Sequence, residues 1–388
     1  MTDITLDVKE NDKNLKVNWR SPSAGSAAYK INANNLINRS AEVRICLQNL
    51  IAAAMKNRTE HRPLTLGLEL KELAKAGSKL RNEIFTPLES EDQLEAEDAN
   101  RWLGSLSDVV LHVTVDREIY IPWGLAFEGD PQKLSGDPED ISIDKFSDFW
   151  CLKYQLSTLY NRIRDSVVRN PRTAGQAQIV KLTNQDAWAR AIRQVSPLEQ
   201  QLAAAMFTAN DICSSSDFEN IWKIQKKSHE TDLLYFFGHA NGTALAFEKG
   251  DLLTMDDFPR ILMRTPPTEQ PACLVFLNGC HTAIGDRNSG GFLQATSYRG
   301  FCGFIGTEAE VPDVFALRFA NAFLSQLLYT GSRAVDVMNN IRRDYWPLSL
   351  AYNLSCHPDF HFIPQGATPP SLLPAPDFSK DAIGSERV

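Results

Sequence analysis

The sequence lacks the features that mark membrane, secreted and nucleic-acid-binding proteins. No apolar run approaches the roughly 18–20 residues that a membrane-spanning helix needs. The first residues, MTDITLDVKENDKNLKVNW, are polar and acidic and contain no apolar stretch, so we expect no signal peptide there. The net charge is −8 and no cluster of lysine and arginine is present, which argues against a nucleic-acid or anionic-membrane partner. We therefore expect a cytoplasmic protein that binds neither.

Closely spaced cysteine pairs are also missing. The seven cysteines have no CxxC spacing and are spread along the chain at Cys46, Cys151, Cys213, Cys273, Cys280, Cys302 and Cys356. An odd, dispersed set in a cytoplasmic protein is typical of free thiols, and it fits neither a disulfide framework nor a zinc site. We expect no metal and no cofactor, while one thiol is available as a nucleophile.

Several site motifs are absent as well. The sequence contains no GxxxxGK[ST] and no GxGxxG, which disfavours a nucleotide site, and it contains no HExxH and no GxSxG. No repeat of about 20–50 residues is present, so we expect no solenoid. The composition, with 43% hydrophobic and 23% charged residues, is that of a globular protein with a sizeable core, and 388 residues exceed one average domain.

Four segments are expected along the chain. Residues 1–30 form a loose lead-in with one or two short strands, and the Pro-rich tail 364–388 is expected to be disordered. Between them we predict an N-terminal half at 31–170 and a catalytic half at 171–363. The elements predicted in the N-terminal half are helices at 34–57 and 64–85, a hairpin at 108–127, and an acidic loop at 128–148 that separates two halves of the chain.

The second half alternates apolar runs of strand length with helical segments. The predicted strands are 176–182, 232–237, 272–277, 301–306 and 359–363, and the predicted helices are 196–210, 218–230, 255–264, 311–331 and 332–346. The apolar runs are too continuous to be half exposed. They predict an α/β protein with a mostly parallel sheet covered by helices on both faces.

Two of these apolar runs end in small residues and one reactive side chain. The run LLYFFGHANG contains His239, and ACLVFLNGCHTA contains Cys280. If the runs are neighbouring parallel strands, both residues lie at the sheet edge where α/β proteins gather catalytic groups. A thiolate is a nucleophile and an imidazole can take its proton, which is what a cysteine peptidase requires. The backbone N–H groups of Ala240 and Cys280 are candidates for an oxyanion hole.

Each of these residues also has a plain structural explanation. Cysteine is among the most buried residue types, and a histidine after a strand is often a hydrogen-bonded structural residue. His281, next to Cys280, is a rival base, which we rank below His239 because adjacent side chains usually point apart. Cys356 and His357 form a similar adjacent pair, and we interpret that pair as structural.

A third strand end carries carboxylates. The segment GTEAEVPD, residues 306–313, follows the predicted strand FCGFIG and contains Glu308, Glu310 and Asp313. Three carboxylates at this edge can bind a basic side chain of a substrate. Alternatively, Glu310 or Asp313 decorates the N-terminus of the next helix, where the helix dipole favours negative charge.

The residues that follow the candidate nucleophile are rich in Gly, Asn and Ser. This stretch spans residues 285–291. It is either a mobile loop that becomes ordered on substrate binding or activation, or a plain surface loop.

Several of these segments together resemble one family. YFFGHANG, CLVFLNGC and FCGFIGTEAEVPDVFALRFANAFLSQLLYTG resemble the CHAT branch of the caspase-like cysteine peptidases, whose relatives include separase, metacaspases and clostripain. The upstream VVLHVTVDREIYIPWGLAF is similar to the segment that precedes the protease core in CHAT proteins. The resemblance covers residues 65–362. It implies a caspase-like fold whose mostly parallel central sheet is flanked by helices, with a pseudo-caspase or lid half before the catalytic half.

The resemblance also implies roles for the candidate residues. Cys280 corresponds to the nucleophile and His239 to the general base. In separase-like relatives an acidic residue of the segment matching 306–313 lines the pocket for a basic P1 side chain. Glu310 falls nearest that place and Asp313 is also close, with Glu308 in the same segment.

Two positions depart from the family pattern. Many relatives have Gly directly after the histidine, where this chain has Ala240, which keeps the N–H and adds a methyl group. Metacaspases have Asp two positions before the cysteine, where this chain has Asn278. We keep Asn278 as a pocket candidate, although a neutral side chain there weakens a strict preference for Arg or Lys.

The resemblance leads to a functional hypothesis. The chain is expected to be a cysteine endopeptidase that cleaves specific protein substrates as a regulated effector in bacterial antiphage defence or cell death, with gasdermin-like proteins among the substrate classes. The TPR repeats that often accompany CHAT domains are missing, so activation would come through the N-terminal half, through a partner such as an activating sensor or regulatory protein, or through self-association. The alternative is an inactive pseudo-caspase scaffold that binds a peptide, and a third option is a small-molecule enzyme with an incidental cysteine.

Overall fold

Two units are distinguished in the computed structural model of the chain. The structure describes residues 2–11, 14–59, 65–105, 109–116, 119–160, 177–206, 211–224, 231–262, 273–284, 291–297 and 301–364. The first unit holds the described residues up to 160 together with Trp346–Leu350, and the second holds the others. The predicted domain boundary at 170/171, nearly all of the 285–291 stretch and nearly all of the tail lie outside the described residues.

The first unit combines strands and helices. Its elements are β1 (Thr2–Asn11), β2 (Asn14–Ser21), β3 (Gly25–Asn32), α1 (Ala33–Thr59), α2 (Gly67–Ile84), α3 (Gln93–Ser105), β4 (Val109–Asp116), α4 (Trp150–Lys153) and β5 (Gln155–Tyr160). The strands are hydrogen bonded in the order β3-β2-β1-β4-β5. Strands β2 and β3 run antiparallel, as do β1 and β2, whereas β4 is parallel to both β1 and β5. The two helices predicted in this half are confirmed as α1 and α2, which pack against each other.

Two predictions for the first unit are wrong. The expected lead-in at 1–30 is a regular three-stranded meander, in which alternate residues such as Leu15, Val17 and Trp19 are buried. The expected hairpin at 108–127 does not form, because β4 pairs in parallel with β1 and β5, and Trp123–Leu125 form a helical turn. Proline removes a backbone donor and Asp-Arg is a poor two-residue turn, so the sequence there does not support a second paired strand.

The second unit carries the candidate residues. Its elements are β6 (Ile179–Thr183), α5 (Gln185–Arg193), α6 (Pro197–Met206), α7 (Ser215–Glu219) followed by a π-helical turn (Asn220–Ile224), β7 (Leu233–Phe237), β8 (Ala244–Ala246), β9 (Leu252–Thr254), α8 (Asp257–Ile261), β10 (Leu274–Asn278), α9 (Gly291–Ser297), β11 (Gly303–Thr307), α10 (Asp313–Tyr329), α11 (Ala334–Asp344) and β12 (Tyr352–Cys356). The strand order is β6-β7-β10-β11-β12. The first four are parallel and β12 is antiparallel to β11. The α/β class with a mostly parallel sheet flanked by helices is confirmed.

Local signals in the second unit are mostly confirmed. The predicted capping box is present, since Ser196 N–H donates to Glu199 Oε2 at 2.7 Å and Glu199 N–H donates to Ser196 Oγ at 3.3 Å. The predicted last strand at 359–363 is wrong, because the last strand is β12. Phe360 and Phe362 lie in a loop, and their rings are buried and contact each other. The alternating apolar residues of this loop match the pattern of a strand, which explains the wrong prediction. None of the helices in the described ranges has the length and apolar character needed to cross a bilayer.

A buried amide joins four elements at the end of β10. Asn278 is 1% exposed, and its Nδ2 donates to Ala316 O at 2.8 Å and to Tyr235 Oη at 3.2 Å. Its Oδ1 accepts from Tyr352 Oη at 2.6 Å. Because Tyr235 lies in β7, Ala316 in α10 and Tyr352 in β12, this side chain fixes the end of β10 against the elements around it. The ring of Phe319 stacks on Tyr352 with centroids 3.7 Å apart, which holds that tyrosine in place.

We expect replacement of Asn278 by alanine to destabilise the chain. The change removes three buried hydrogen bonds, to Tyr235, Ala316 and Tyr352, so the free energy of unfolding should fall by about 2–4 kcal/mol. Urea unfolding followed by circular dichroism measures this. The control is Asn340→Ala on the exposed side of α11, which should change stability by less than about 0.5 kcal/mol. Equal stability of the two variants would contradict a structural role for Asn278.

Candidate active site

The ends of β7 and β10 lie at the same level of the sheet. Phe237, the last residue of β7, pairs with Asn278, the last residue of β10. His239 follows the end of β7 by two residues, and Cys280 follows the end of β10 by two residues. The register therefore brings them to matching positions after adjacent parallel strands. The sequence prediction that the two runs are parallel neighbours is therefore confirmed. Strand β11 lies on the other side of β10, which brings its own carboxyl end to the same edge.

The two strand ends touch through small residues. A Cβ atom built on Gly279 would lie 2.9 Å from Gly238 O and 3.0 Å from Ala240 Cβ. These distances leave no room for a side chain at Gly279 without movement of the backbone. Glycine at this position therefore permits the close approach of the segments that carry His239 and Cys280.

Two buried threonines hold the turn that carries Cys280. Thr282 Oγ1 donates to Leu277 O at 2.8 Å and accepts from Thr307 N–H at 3.0 Å. Thr307 Oγ1 in turn donates to Gly279 O at 2.6 Å. Both threonines are completely buried. The backbone on either side of Cys280 is therefore attached to the end of β11, which holds the residue that carries the thiol in a fixed position.

His281 adopts a backbone conformation that is uncommon for a side chain. Its φ is 59°, in the left-handed region. Its Nε2 lies 3.8 Å from Glu310 Oε1. The structure thus places the rival base His281 beside Glu310. A Cβ atom built on Gly242 would lie 3.4 Å from His281 O and 3.6 Å from His281 Cβ. The φ of Gly242 is 81°, so any other residue at this position would have a strained backbone.

The Cys280 thiol is partly buried and lies in a negative environment. Burial is the main cause that raises its pKa, and the nearby carboxylates of Glu310 and Asp313 raise it further. A hydrogen bond from the Val311 backbone acts in the opposite direction and is outweighed. The protonated thiol is therefore the stable form at neutral pH, and attack on a carbonyl needs a base to take the proton.

His239 is exposed and contacts an arginine that the sequence analysis did not single out. Arg190 Nη2 lies 2.8 Å from His239 Nε2 and 3.3 Å from Asp313 Oδ2. Arg190 belongs to α5, which begins at its N-cap Asn184 directly after β6. A helix that starts at the carboxyl end of the neighbouring strand is the signal that would have drawn attention to Arg190.

The four candidates for a substrate pocket divide into two pairs. Glu310 is exposed and Asp313 is the first residue of α10, and both act electrostatically on Cys280. Glu308 is 3% exposed, and its Oε1 accepts from Asn353 Nδ2 at 2.8 Å. Asn278 is buried in the network described above. The structure therefore brings Glu310 and Asp313 to the candidate site and places Glu308 and Asn278 inside the fold.

Two backbone hydrogen bonds flank Ala240 in the segment after His239. His239 O accepts from Ala246 N–H at 2.8 Å, and Asn241 N–H donates to Ala244 O at 3.3 Å. Ala240 lies between these two bonds in an isolated bridge. In the described part of the chain, neither the Ala240 nor the Cys280 N–H donates to another backbone group. The use of these two N–H groups as oxyanion donors stays a prediction.

Other reactive groups of the second unit are packed in the fold. Cys356 is completely buried, and a Cβ on Gly303 would lie 2.6 Å from its Sγ. His357 Nδ1 accepts from Asp359 N–H at 3.2 Å. Both settings agree with the structural interpretation of that pair. Among the residues that the structure describes, no group of three or more His, Cys, Asp or Glu side chains is arranged to hold a metal ion.

Comparison with solved structures shows the fold. The separase–securin complex of Saccharomyces cerevisiae matches with a TM-score of 0.52 and 10% sequence identity, over 91% of this chain and 30% of that chain. The chain therefore spans less than a third of the length of that relative. The complex of RgpB pro- and mature domains of Porphyromonas gingivalis matches with a TM-score of 0.43 and 11% identity, over 82% of this chain and 78% of that one. Comparison with curated proteins finds no match.

Comparison with protein families identifies one domain. The CHAT domain matches residues 76–347, which is more than half of the chain and includes His239, Cys280 and the acidic segment. The register of β7, β10 and β11 places these three features at one sheet edge. The chain belongs to the CHAT domain family and has the fold of the caspase-like cysteine peptidases.

Proposed function

We propose that the chain is a cysteine endopeptidase in which Cys280 is the nucleophile and His239 the general base. The observation that carries this proposal is the strand register, which brings the two residues to matching positions after adjacent parallel strands. Membership of the CHAT family supports the reaction class. The rigid turn around Cys280 supports it further, because a nucleophile must be held in a fixed position.

The reaction would proceed through a thioester. As Cys280 Sγ attacks the scissile carbonyl carbon, the thiol proton passes to His239, and the carbonyl oxygen becomes an oxyanion. The N–H groups of Ala240 and Cys280 donate to that oxygen. His239 then gives its proton to the leaving amine as the C–N bond breaks. Water, deprotonated by His239, hydrolyses the thioester and restores the thiol.

The substrate would be a protein with a basic side chain before the cleaved bond. Glu310 and Asp313 are the carboxylates that the structure brings to the site, and a guanidinium group already lies within 3.3 Å of Asp313. The family supports a regulated effector in bacterial antiphage defence or cell death. Gasdermin-like proteins are the substrate class to test first, and an activating sensor is the expected partner.

We expect Cys280→Ala to abolish cleavage, and His239→Ala to reduce kcat by about 10²–10⁴ because proton transfer is lost. Cleavage of fluorogenic peptides and labelling with an acyloxymethyl ketone probe measure the two effects. Cys213→Ala is the matched control, since Cys213 is another partly exposed thiol of the same unit. His281→Ala tests the rival base and should retain activity. Unchanged labelling and cleavage in Cys280→Ala would contradict the peptidase proposal and favour a peptide-binding pseudo-caspase.

We expect alkylation of Cys280 to require high pH. Because burial and the nearby carboxylates raise the thiol pKa, the thiolate forms at a higher pH than in free cysteine. The rate of reaction with iodoacetamide, measured by peptide mass spectrometry between pH 6 and 11, should reach half of its plateau at higher pH than free cysteine does. A plateau at lower pH than free cysteine would mean a preformed thiolate, and it would contradict the need for a base.

We expect a preference for Arg or Lys at P1 that depends on Glu310 and Asp313. Glu310→Gln and Asp313→Asn should each lower the ratio of kcat/KM for an Arg-P1 peptide to kcat/KM for a neutral-P1 peptide by about tenfold, because a charged hydrogen bond is lost only with the basic substrate. A positional-scanning peptide library measures the profile. The control is Asp256→Asn, an exposed carboxylate before α8. A preference for small or apolar P1 residues would remove the two carboxylates from the pocket.

A further inference from the structure

In the contact between Arg190 and His239 only the arginine can donate the hydrogen bond. Arginine has only N–H donors and keeps its charge, so the 2.8 Å contact from Arg190 Nη2 requires that His239 Nε2 accept the hydrogen bond. The histidine must then be neutral with its proton on Nδ1. A neutral imidazole has one ring nitrogen with a free lone pair, and here that lone pair is taken by Arg190.

This contact conflicts with the role of a general base. Uptake of the thiol proton at Nε2 requires that Arg190 first leave. Uptake at Nδ1 requires that the ring proton move to Nε2, which would point an N–H at the N–H of Arg190. Both routes break the contact, so His239 cannot act as a base in the geometry that the structure shows.

We propose that Arg190 is an internal latch that keeps the peptidase in a resting state by occupying the proton-accepting nitrogen of His239. The inference rests on the proposed role of His239 as the base. Asp313 supplies the anchor of the latch, since its carboxylate lies 3.3 Å from the same Nη2 atom. Activation consists of the release of this guanidinium from His239 and Asp313 to solvent, which leaves Asp313 for the basic side chain of a substrate.

The surroundings of Arg190 fit a group that can move. Its side chain is 45% exposed, so release requires a change of rotamer and leaves the core unchanged. Helix α5 is fixed at its other end, where Asn184 Oδ1 accepts from Ala187 N–H at 3.0 Å and Asn184 Nδ2 donates to Ala246 O at 3.2 Å. The helix that carries Arg190 is thus fixed, and only the arginine side chain needs to move.

The test compares Arg190→Ala and Arg190→Met with Arg193→Ala. Arg193 is an exposed arginine of the same helix whose Nε donates to Ala189 O, so its loss removes the same charge without touching His239. Both Arg190 variants should increase the rate of Cys280 alkylation by iodoacetamide at pH 7 by about fivefold to tenfold, because a charge-assisted hydrogen bond that occupies the base is lost. The control should react like wild type. Arg190→Ala/His239→Ala should lose the gain.

A second measurement reads the latch without any catalysis. In ¹⁵N-histidine-labelled wild type at pH 8, the two-bond spectrum should show His239 with its proton on Nδ1, and Arg190→Ala should move it toward Nε2. A wild-type His239 protonated on Nε2, or Arg190 variants that alkylate no faster than Arg193→Ala, would overturn the latch. Faster alkylation without peptide cleavage by any variant would support the latch and count against the peptidase. Cleavage by wild type that Arg190→Ala does not accelerate would leave the peptidase standing without the latch.

Discussion

The buried amide of Asn278 is the interaction on which the candidate site depends. It is the last residue of β10, and its three hydrogen bonds join β10 to β7, α10 and β12. An amide whose donors and acceptor are all satisfied inside a core permits one arrangement of its neighbours, since any shift leaves a polar group unpaired. Two residues later the chain carries Cys280, so the position of the thiol follows from a network that contains no catalytic group.

The same edge of the sheet sets the chemistry of the thiol. Burial and two carboxylates stabilise the protonated form of Cys280, although a nucleophile must act as a thiolate. If Glu310 and Asp313 bind a basic substrate as proposed, the same two carboxylates make the proposed nucleophile less reactive. These two requirements agree only if a base takes the proton at the moment of attack, which is the role proposed for His239.

How much the sequence predicts depends on the range of the interaction. The apolar runs before His239 and Cys280 are local patterns, so the parallel sheet and its common edge were predictable from them. The parallel pairing of β4 was not predictable, and a hairpin was predicted there instead, because parallel pairing joins segments far apart in sequence and leaves no turn signal. The burial of Asn278 and Glu308 was also out of reach, since their partners come from other elements. Arg190 is the same case, because its contact to His239 crosses 49 positions.

Under the proposed roles, the sheet edge carries a protonated thiol and a base whose lone pair is occupied. Either feature alone would slow the attack on a carbonyl, and the two are linked through Asp313. Its carboxylate raises the pKa of the thiol and holds the guanidinium that blocks His239. In the proposed activation that guanidinium leaves for solvent and frees the proton acceptor, and a basic substrate side chain on Asp313 then neutralises part of the negative field at Cys280. Under the proposed latch, the Arg190–Asp313 ion pair therefore separates a resting from an active site.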